Sequence, residues 1–263
     1  MTYPNPFVAA ADRYARGQPY HHARTLRRAL AGWAPRTALD VACGTGLSTR
    51  ALAELGIAAV GVDVAPAMVA RARADTGLPY AVAAAEALPL GAGAVDLVTV
   101  GSGVHWFDQE RFAAEAARVL RPGGALLLYE HAGATLPDPA FADWMRGTYL
   151  TRFPSPPRGA LAAEFPETGR FTLAGSDRWP DVVPMTRTDF VAYLATQSNV
   201  ADEPPARIRD WFTVELAPFF RGDGPRPVTF RASYRLLRSG ASESGPAAAA
   251  GAAAAGCEES ARG

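Results

Sequence analysis

The stretch Thr37-Ala38-Leu39-Asp40-Val41-Ala42-Cys43-Gly44-Thr45-Gly46 constrains this chain more than any other. An apolar run with one acid inside it gives way to Gly-x-Gly and then to Leu47-Ser48-Thr49-Arg50-Ala51-Leu52. That order reads as a buried strand, a tight turn and the start of a helix. Glycine at such a turn reaches backbone angles closed to other residues. It also lets a ligand lie against the main chain with no Cβ in the way.

From Thr37 onward the pattern alternates. Strands are expected at 37–42, 58–62, 80–82, 96–100 and 125–129, with helices at about 46–55, from Pro66 onward and at 108–120. Pro66 stands where a helix accepts proline, at its first turn, and Arg121-Pro122-Gly123-Gly124 ends the last of these helices. Apolar strands alternating with helices imply an α/β fold whose parallel sheet is covered on both faces. Ahead of it, residues 1–35 read as a polar arm and a helix from about Ala23 to Trp33, with Leu26, Leu30 and Trp33 on one face. Beyond the core, helices are expected near 138–150, 188–196 and 205–219, and 227–236 alternates like an edge strand. Residues 239–263, rich in Ala, Gly and Ser, have too little to bury and are expected to be disordered. Four segments follow: an arm at 1–35, a ligand-binding core at 36–131, a substrate cap with the last strands at 132–238, and a tail at 239–263.

Composition narrows the partners. The 26 basic and 26 acidic residues cancel, so no electrostatic footprint for nucleic acid or an anionic membrane is expected. No apolar run approaches the roughly 18 residues needed to cross a bilayer, and Met1–Pro6 does not open a signal segment. All 26 basic residues are arginine, which excludes lysine nucleophiles and Schiff bases. The two cysteines lie far apart, Cys43 in the turn and Cys257 in the tail, which fits a reducing compartment with no disulfide framework or thiolate metal site. The expectation is a soluble cytoplasmic protein, monomer or homodimer.

Two cofactor classes use a glycine turn of this kind. A dinucleotide turn prefers a third small residue, where Thr49 stands here. Asp63, 19 residues after Gly44, suits a carboxylate accepting two ribose hydroxyls and serves either class. Asp40 discriminates between them: a carboxylate inside the first strand repels a pyrophosphate but suits a ligand with an ammonium group.

Leu39-Asp40-Val41-Ala42-Cys43-Gly44-Thr45-Gly46, Val60-Gly61-Val62-Asp63 with Met68, Ala85-Glu86-Ala87-Leu88-Pro89, Asp96-Leu97-Val98 and Arg118-Val119-Leu120-Arg121-Pro122-Gly123-Gly124 stand in this order. Together they resemble the class I S-adenosylmethionine-dependent methyltransferases, and more narrowly their small-molecule "type 11" branch. Val104-His105-Trp106-Phe107-Asp108 is similar to a subgroup that includes trans-aconitate methyltransferases. The resemblance implies a Rossmann-like, doubly wound, mostly parallel seven-stranded sheet with a helical cap. It implies S-adenosyl-L-methionine as cofactor and a small-molecule acceptor as partner. Gly44 and Gly46 would lie against the methionine moiety, with Asp40 near its amino group; Asp63 would hold the ribose, and Met68 would pack near the adenine. Ala85 and Glu86 would border the adenine amine, although Ala84 replaces an acid common in the family. Ala42, Val64, Gly101 and Tyr14 complete the implied cofactor contacts.

Catalytic candidates are His105 and Trp106, after the fourth strand, where open α/β sheets place their ligands. Trp106 would offer a cation–π contact to a sulfonium, and His105 a base if the acceptor needs one. His21, Gln197 and Asn199 are the substrate candidates. Gly101-Ser102-Gly103 stands where metal-dependent methyl transfer needs acidic ligands, so no catalytic metal is expected. The Asn/Asp-Pro-Pro-aromatic signature of amino-group methylation on nucleic acid or protein is missing there too. The competing readings are an NAD(P)-dependent oxidoreductase, for which the catalytic Tyr-x-x-x-Lys is lacking, and a non-catalytic adenosyl-binding protein.

Overall fold

The computed structural model describes residues 11–19, 21–155, 165, 169–222 and 224–240. Helices α1 (Ala11–Gly17) and α2 (His22–Ala29) come first. Then β1 (Thr37–Val41), α3 (Leu47–Glu54), β2 (Ala58–Asp63), α4 (Pro66–Thr76), β3 (Tyr80–Val82), β4 (Val95–Gly101), α5 (Gln109–Val119) and β5 (Leu120–Thr135) alternate along the chain. The cap region holds α6 (Pro139–Trp144), a wide helical turn at Met145–Tyr149 and α7 (Leu150–Arg152). Strand β6 (Phe171–Met185), α8 (Arg187–Leu194), α9 (Pro205–Glu215) and β7 (Arg226–Ser239) follow.

Among the described residues, seven strands make one sheet in the order β3-β2-β1-β4-β5-β7-β6. Strands β1 to β5 run parallel to one another. Strand β7 is antiparallel to both β5 and β6, so it alone opposes the rest. This is the Rossmann-like, doubly wound, mostly parallel sheet that the resemblance implies. Chain order reverses between β1 and β4, and that switch point opens a crevice at the carboxyl ends of the strands.

Burial explains the strand composition. Leu39, Val41, Leu97, Val98, Val100, Leu126 and Leu128 are all essentially inaccessible, because helices cover both faces. Phe112, Ala113 and Ala116 of α5 pack on one face, and Leu26 and Ala29 of α2 with Ala51 and Leu52 of α3 on the other. A separate aromatic core (Phe141, Trp144, Tyr149, Phe190, Phe212) underlies the cap and reaches the sheet through Val228 and Phe230 of β7.

Three expectations need correction. Residues 227–236 do not form an edge strand: β7 is flanked on both sides, and β6 is the edge. Strand β6 escapes sequence reading because Gly175, Pro180 and Pro184 interrupt it, which an edge tolerates and an inner strand does not. Arg121-Pro122-Gly123-Gly124 ends α5 but does not stand outside the sheet, since β5 already pairs with β4 at Leu120 and resumes past an irregularity at Ala125. The tail expected to be disordered lies, from residue 241, outside the described residues, as does Cys257.

Candidate active site

A cleft of about 640 Å³ opens where β1, β2 and β4 end, within the roughly 300–1,000 Å³ range of small-molecule sites. Its floor is backbone. Gly44 has φ +54° and a Cβ there would meet only the Tyr14 ring, at 3.7 Å. Among the described residues, two besides glycine share the left-handed conformation, Ala42 (φ 55°) and Ser102 (φ 56°), and both line the cleft. Such angles cost about 1–2 kcal/mol for an L-residue, and strain of this kind gathers where a ligand is held. Gly103 completes the floor, since a Cβ there would strike Ala42 Cβ at 2.8 Å.

Asp63, at the end of β2, braces this floor. Its Oδ2 accepts from Gly44 N (3.0 Å) and its Oδ1 from Ala65 N (2.9 Å), tying the glycine turn to the start of α4. Burial pushes the Asp63 carboxyl up, against the pull of those two amides. A carboxylate has about four lone-pair directions, so two amides leave Asp63 with accepting capacity on a side that lines the cleft. The Tyr14 phenol is pushed up to about 12 by burial and by Asp63, and so stays neutral.

Ala42, Gly44, Asp63, Val64, Met68, Ala85, Glu86, Gly101, Tyr14 and Trp106 all line the cleft, from sequence-distant positions. Glu86 Oε1 accepts from Asp108 N at 2.8 Å, tying the β3–β4 connection to the start of α5. Two cofactor candidates sit behind the wall. Asp40 is fully buried, with Oδ2 accepting from Ser48 Oγ (2.6 Å) and Thr49 Oγ1 (2.7 Å), and Oδ1 from Thr99 Oγ1 (2.8 Å). Burial pushes this carboxyl up against those three hydroxyls. Asp40 therefore does not reach the cleft surface. Gly46 faces inward: a Cβ there would lie 2.4 Å from Tyr80 Oη. Cys43 is buried beside them, its thiol pushed up first by burial and then by Asp40 and Asp63.

The catalytic and substrate candidates divide. Trp106 lines the cleft, whereas His105 is only 7% exposed and lies behind it, the two rings 5.0 Å apart. Gln197 turns back on Tyr193 O and Thr196 Oγ1. Asn199 accepts from Tyr149 Oη (2.9 Å) and donates to Phe153 O (2.8 Å), inside the cap. His21 sits away from the cleft, 3.0 Å from Asp181. The polar atoms of Asn199 thus face structural partners, and neither Asn199 nor His21 lines the cleft.

Other residues gather at the site without a sequence signal. Arg111 of α5 reaches the cleft wall. Tyr129 lies against Gly101, where a Cβ would meet its Oη at 2.8 Å, and His22 Nδ1 stands 2.8 Å from the same hydroxyl. Burial, then His21 and Arg50, lowers the His22 imidazole to about 3. Helical and strand periodicity carry no trace of such cross-chain meetings.

Comparison with known proteins agrees with this geometry. Residues 39–128 match the model of a methyltransferase domain family. An uncharacterized methyltransferase of Mycobacterium tuberculosis is 42% identical over 123 residues, 46% of this chain and 49% of the relative. The chain thus spans about half the length of the relatives it matches in this way. A demethylmenaquinone methyltransferase of Mycobacterium bovis is 34% identical over 167 residues, 63% of this chain and 69% of the relative. A solved structure, a type II methyltransferase candidate from Anaeromyxobacter dehalogenans, superposes with a TM-score of 0.64 at 29% identity, covering 84% of this chain and 96% of that one. The chain belongs to the class I S-adenosylmethionine-dependent methyltransferases.

Proposed function

We propose that the cleft binds S-adenosyl-L-methionine and that the chain methylates a small molecule, at an oxygen of a carboxylate or hydroxyl group. One observation carries the cofactor reading: the left-handed Ala42–Gly44 floor with Asp63 beside it, lining the cleft while bracing the turn. When bound, the cofactor supplies a methyl carbon already activated by a sulfonium. Asp63 accepts from the ribose hydroxyls; Val64, Met68 and Ala85 provide an apolar slot for the base, with Glu86 at its rim. Asp40 adds a buried negative field beneath the turn, favouring an ammonium above it and opposing a phosphate. Trp106 closes the opposite wall and excludes water from the reacting atoms.

Oxygen methylation is supported by the His105-Trp106 resemblance and by Arg111 on the cleft wall, a guanidinium suited to hold an acidic acceptor. A carboxylate needs no base, and alignment supplies most of the acceleration. For a hydroxyl acceptor, His105 is the candidate base, buried behind the cleft wall with its ring 5.0 Å from that of Trp106. The demethylmenaquinone relative favours a second reading, methylation of a quinone. Incubation with isotope-labelled S-adenosylmethionine, a panel of carboxylic acids, phenols and quinones, and mass spectrometry of the products decides between them. Labelled methyl esters support the first reading and a labelled quinone ring the second. Tight binding of S-adenosylhomocysteine with no turnover on any extract would leave a non-catalytic adenosyl binder, and binding of NAD instead would overturn the cofactor reading.

A further inference from the structure

Outside the cleft, one cluster brings two imidazoles and a carboxylate together from three parts of the chain. His21 precedes α2, His131 lies on β5 and Asp181 on β6. Strands β5 and β6 are not neighbours; β7 runs between them, and there Ala232 pairs with both His131 and Trp179. Asp181 stands opposite Phe230, two residues along β7 from Ala232, and its side chain meets that of His131 over β7. Asp181 Oδ2 is 3.0 Å from His21 Nδ1 and 3.5 Å from His131 Nε2, with all three side chains under a tenth exposed.

The contacts are not those of a finished hydrogen-bond network. Both ring nitrogens of His21 and Oδ2 of Asp181 are buried without a hydrogen-bond partner, although His21 Nδ1 and Oδ2 are close enough for one. Asp181 Oδ1 is taken by Arg24, and His131 Nε2 lies 3.2 Å from Thr25 Oγ1. A buried polar atom left without a partner forfeits its hydration for nothing in return, and His21 Nδ1 and Asp181 Oδ2, facing each other at 3.0 Å, can take up one shared partner. A donor atom from each of His21, His131 and Asp181 lies within 4.8 Å of the other two. A tetrahedral zinc site with bonds of about 2.0–2.2 Å has edges of roughly 3.4 Å, so small side-chain rotations close the set.

The geometry points to a divalent transition-metal site, of the zinc class, formed by His21, His131 and Asp181. Two imidazoles and one carboxylate suit zinc and leave its fourth position to water. None of the three residues lines the cleft, so the site is distinct from the Gly101-Ser102-Gly103 stretch, where the sequence argues against a catalytic metal. Lying between the segment before α2 and strands β5 and β6, a bound ion clamps the arm onto the sheet. His131 also donates its backbone N–H to Ser102 Oγ (3.4 Å), so the clamp adjoins the strained wall of the cleft.

The test uses tag-free full-length protein stripped with a chelator. Titration with Zn²⁺ against a chromophoric chelator is expected to show one equivalent bound with micromolar or tighter affinity. Co²⁺ is expected to give the visible bands of a tetrahedral site. His131→Gln and Asp181→Asn should each weaken Zn²⁺ binding by at least tenfold. His22→Gln, whose ring is engaged with Tyr129, should bind like the parent. Circular dichroism of each variant establishes that it is folded. No stoichiometric metal on the parent protein overturns the proposal, whatever the variants do; so does binding that both ligand variants leave unchanged.

Discussion

Asp40 and Asp63 sit on adjacent paired strands, Asp40 opposite Gly61, and are put to opposite uses. Asp40 turns inward and spends both oxygens on hydroxyls, so it locks β1 to β4 and to the start of α3. Asp63 spends its oxygens on amides and still lines the cleft. The spacing of the sequence places both acids beside the turn. It cannot say which one points in, because that depends on Thr99, a residue of another strand. The consequence is measurable. Asp63→Asn loses a charged acceptor for two hydroxyls and loosens the Gly44 amide, at about 2–3 kcal/mol in total, or roughly a hundredfold in affinity. Calorimetry with S-adenosylhomocysteine checks it, and affinity equal to the parent would remove Asp63 from the ribose role.

At the level of elements, one carboxylate ties together the starts of three strands. Asp96, on β4, accepts from Arg36 N (2.9 Å), Thr37 N (3.0 Å) and Thr37 Oγ1 (3.1 Å) at the start of β1, and from Arg121 Nη1 (2.8 Å) on β5. Burial pushes its carboxyl up, but these bonds outweigh it and hold it at about 2. A carboxyl lowered in the folded state contributes stability above its unfolded value of about 4 and loses it as pH falls towards the folded value. Asp96→Asn should therefore cost about 1–2 kcal/mol at neutral pH, with the gap to the parent closing between about pH 4 and pH 2. Urea denaturation at several pH values tests this, and a gap independent of pH sinks it. The arm is a second such joint. Gly17 of α1 packs so closely on α8 that a Cβ would lie 2.3 Å from Ala192 O, and Gln18 Nε2 donates to Thr196 Oγ1 at 2.8 Å. Gly17→Ala should push α1 off α8, at about 1–3 kcal/mol for overpacking, and carry Tyr14 away from Gly44. Cofactor affinity should fall roughly tenfold, with faster proteolysis of the arm; an unchanged dissociation constant would mean that the arm does not cover the site.

Across the whole molecule two cores share one sheet, and they are unequally legible in the sequence. Residues 37–130 announce themselves because the central parallel strands β1, β4 and β5 are buried on both sides and read as apolar runs. The cap gives no such rhythm. Its helices are visible as apolar faces, but β6 is hidden by Gly175, Pro180 and Pro184, and what its aromatic rings pack against is decided by tertiary contact. Phe212 shows the point: it is fully buried, and its ring meets those of Tyr149 in the wide turn, Phe153 just past α7 and its own α9 neighbour Trp211. The cleft wall draws none of its residues from this core. Phe212→Ala should therefore destabilise the protein by about 3–5 kcal/mol, lowering the melting temperature by roughly 6–20 °C for a chain of this size. Below that temperature, S-adenosylhomocysteine should bind as it does to the parent, while acceptor turnover falls if the cap shapes the substrate pocket. Thermal melts, calorimetry and turnover on one preparation separate these effects. Loss of cofactor affinity in a folded Phe212→Ala protein would show that the cap supports the cofactor site itself, and the division of labour between the two cores would have to be abandoned.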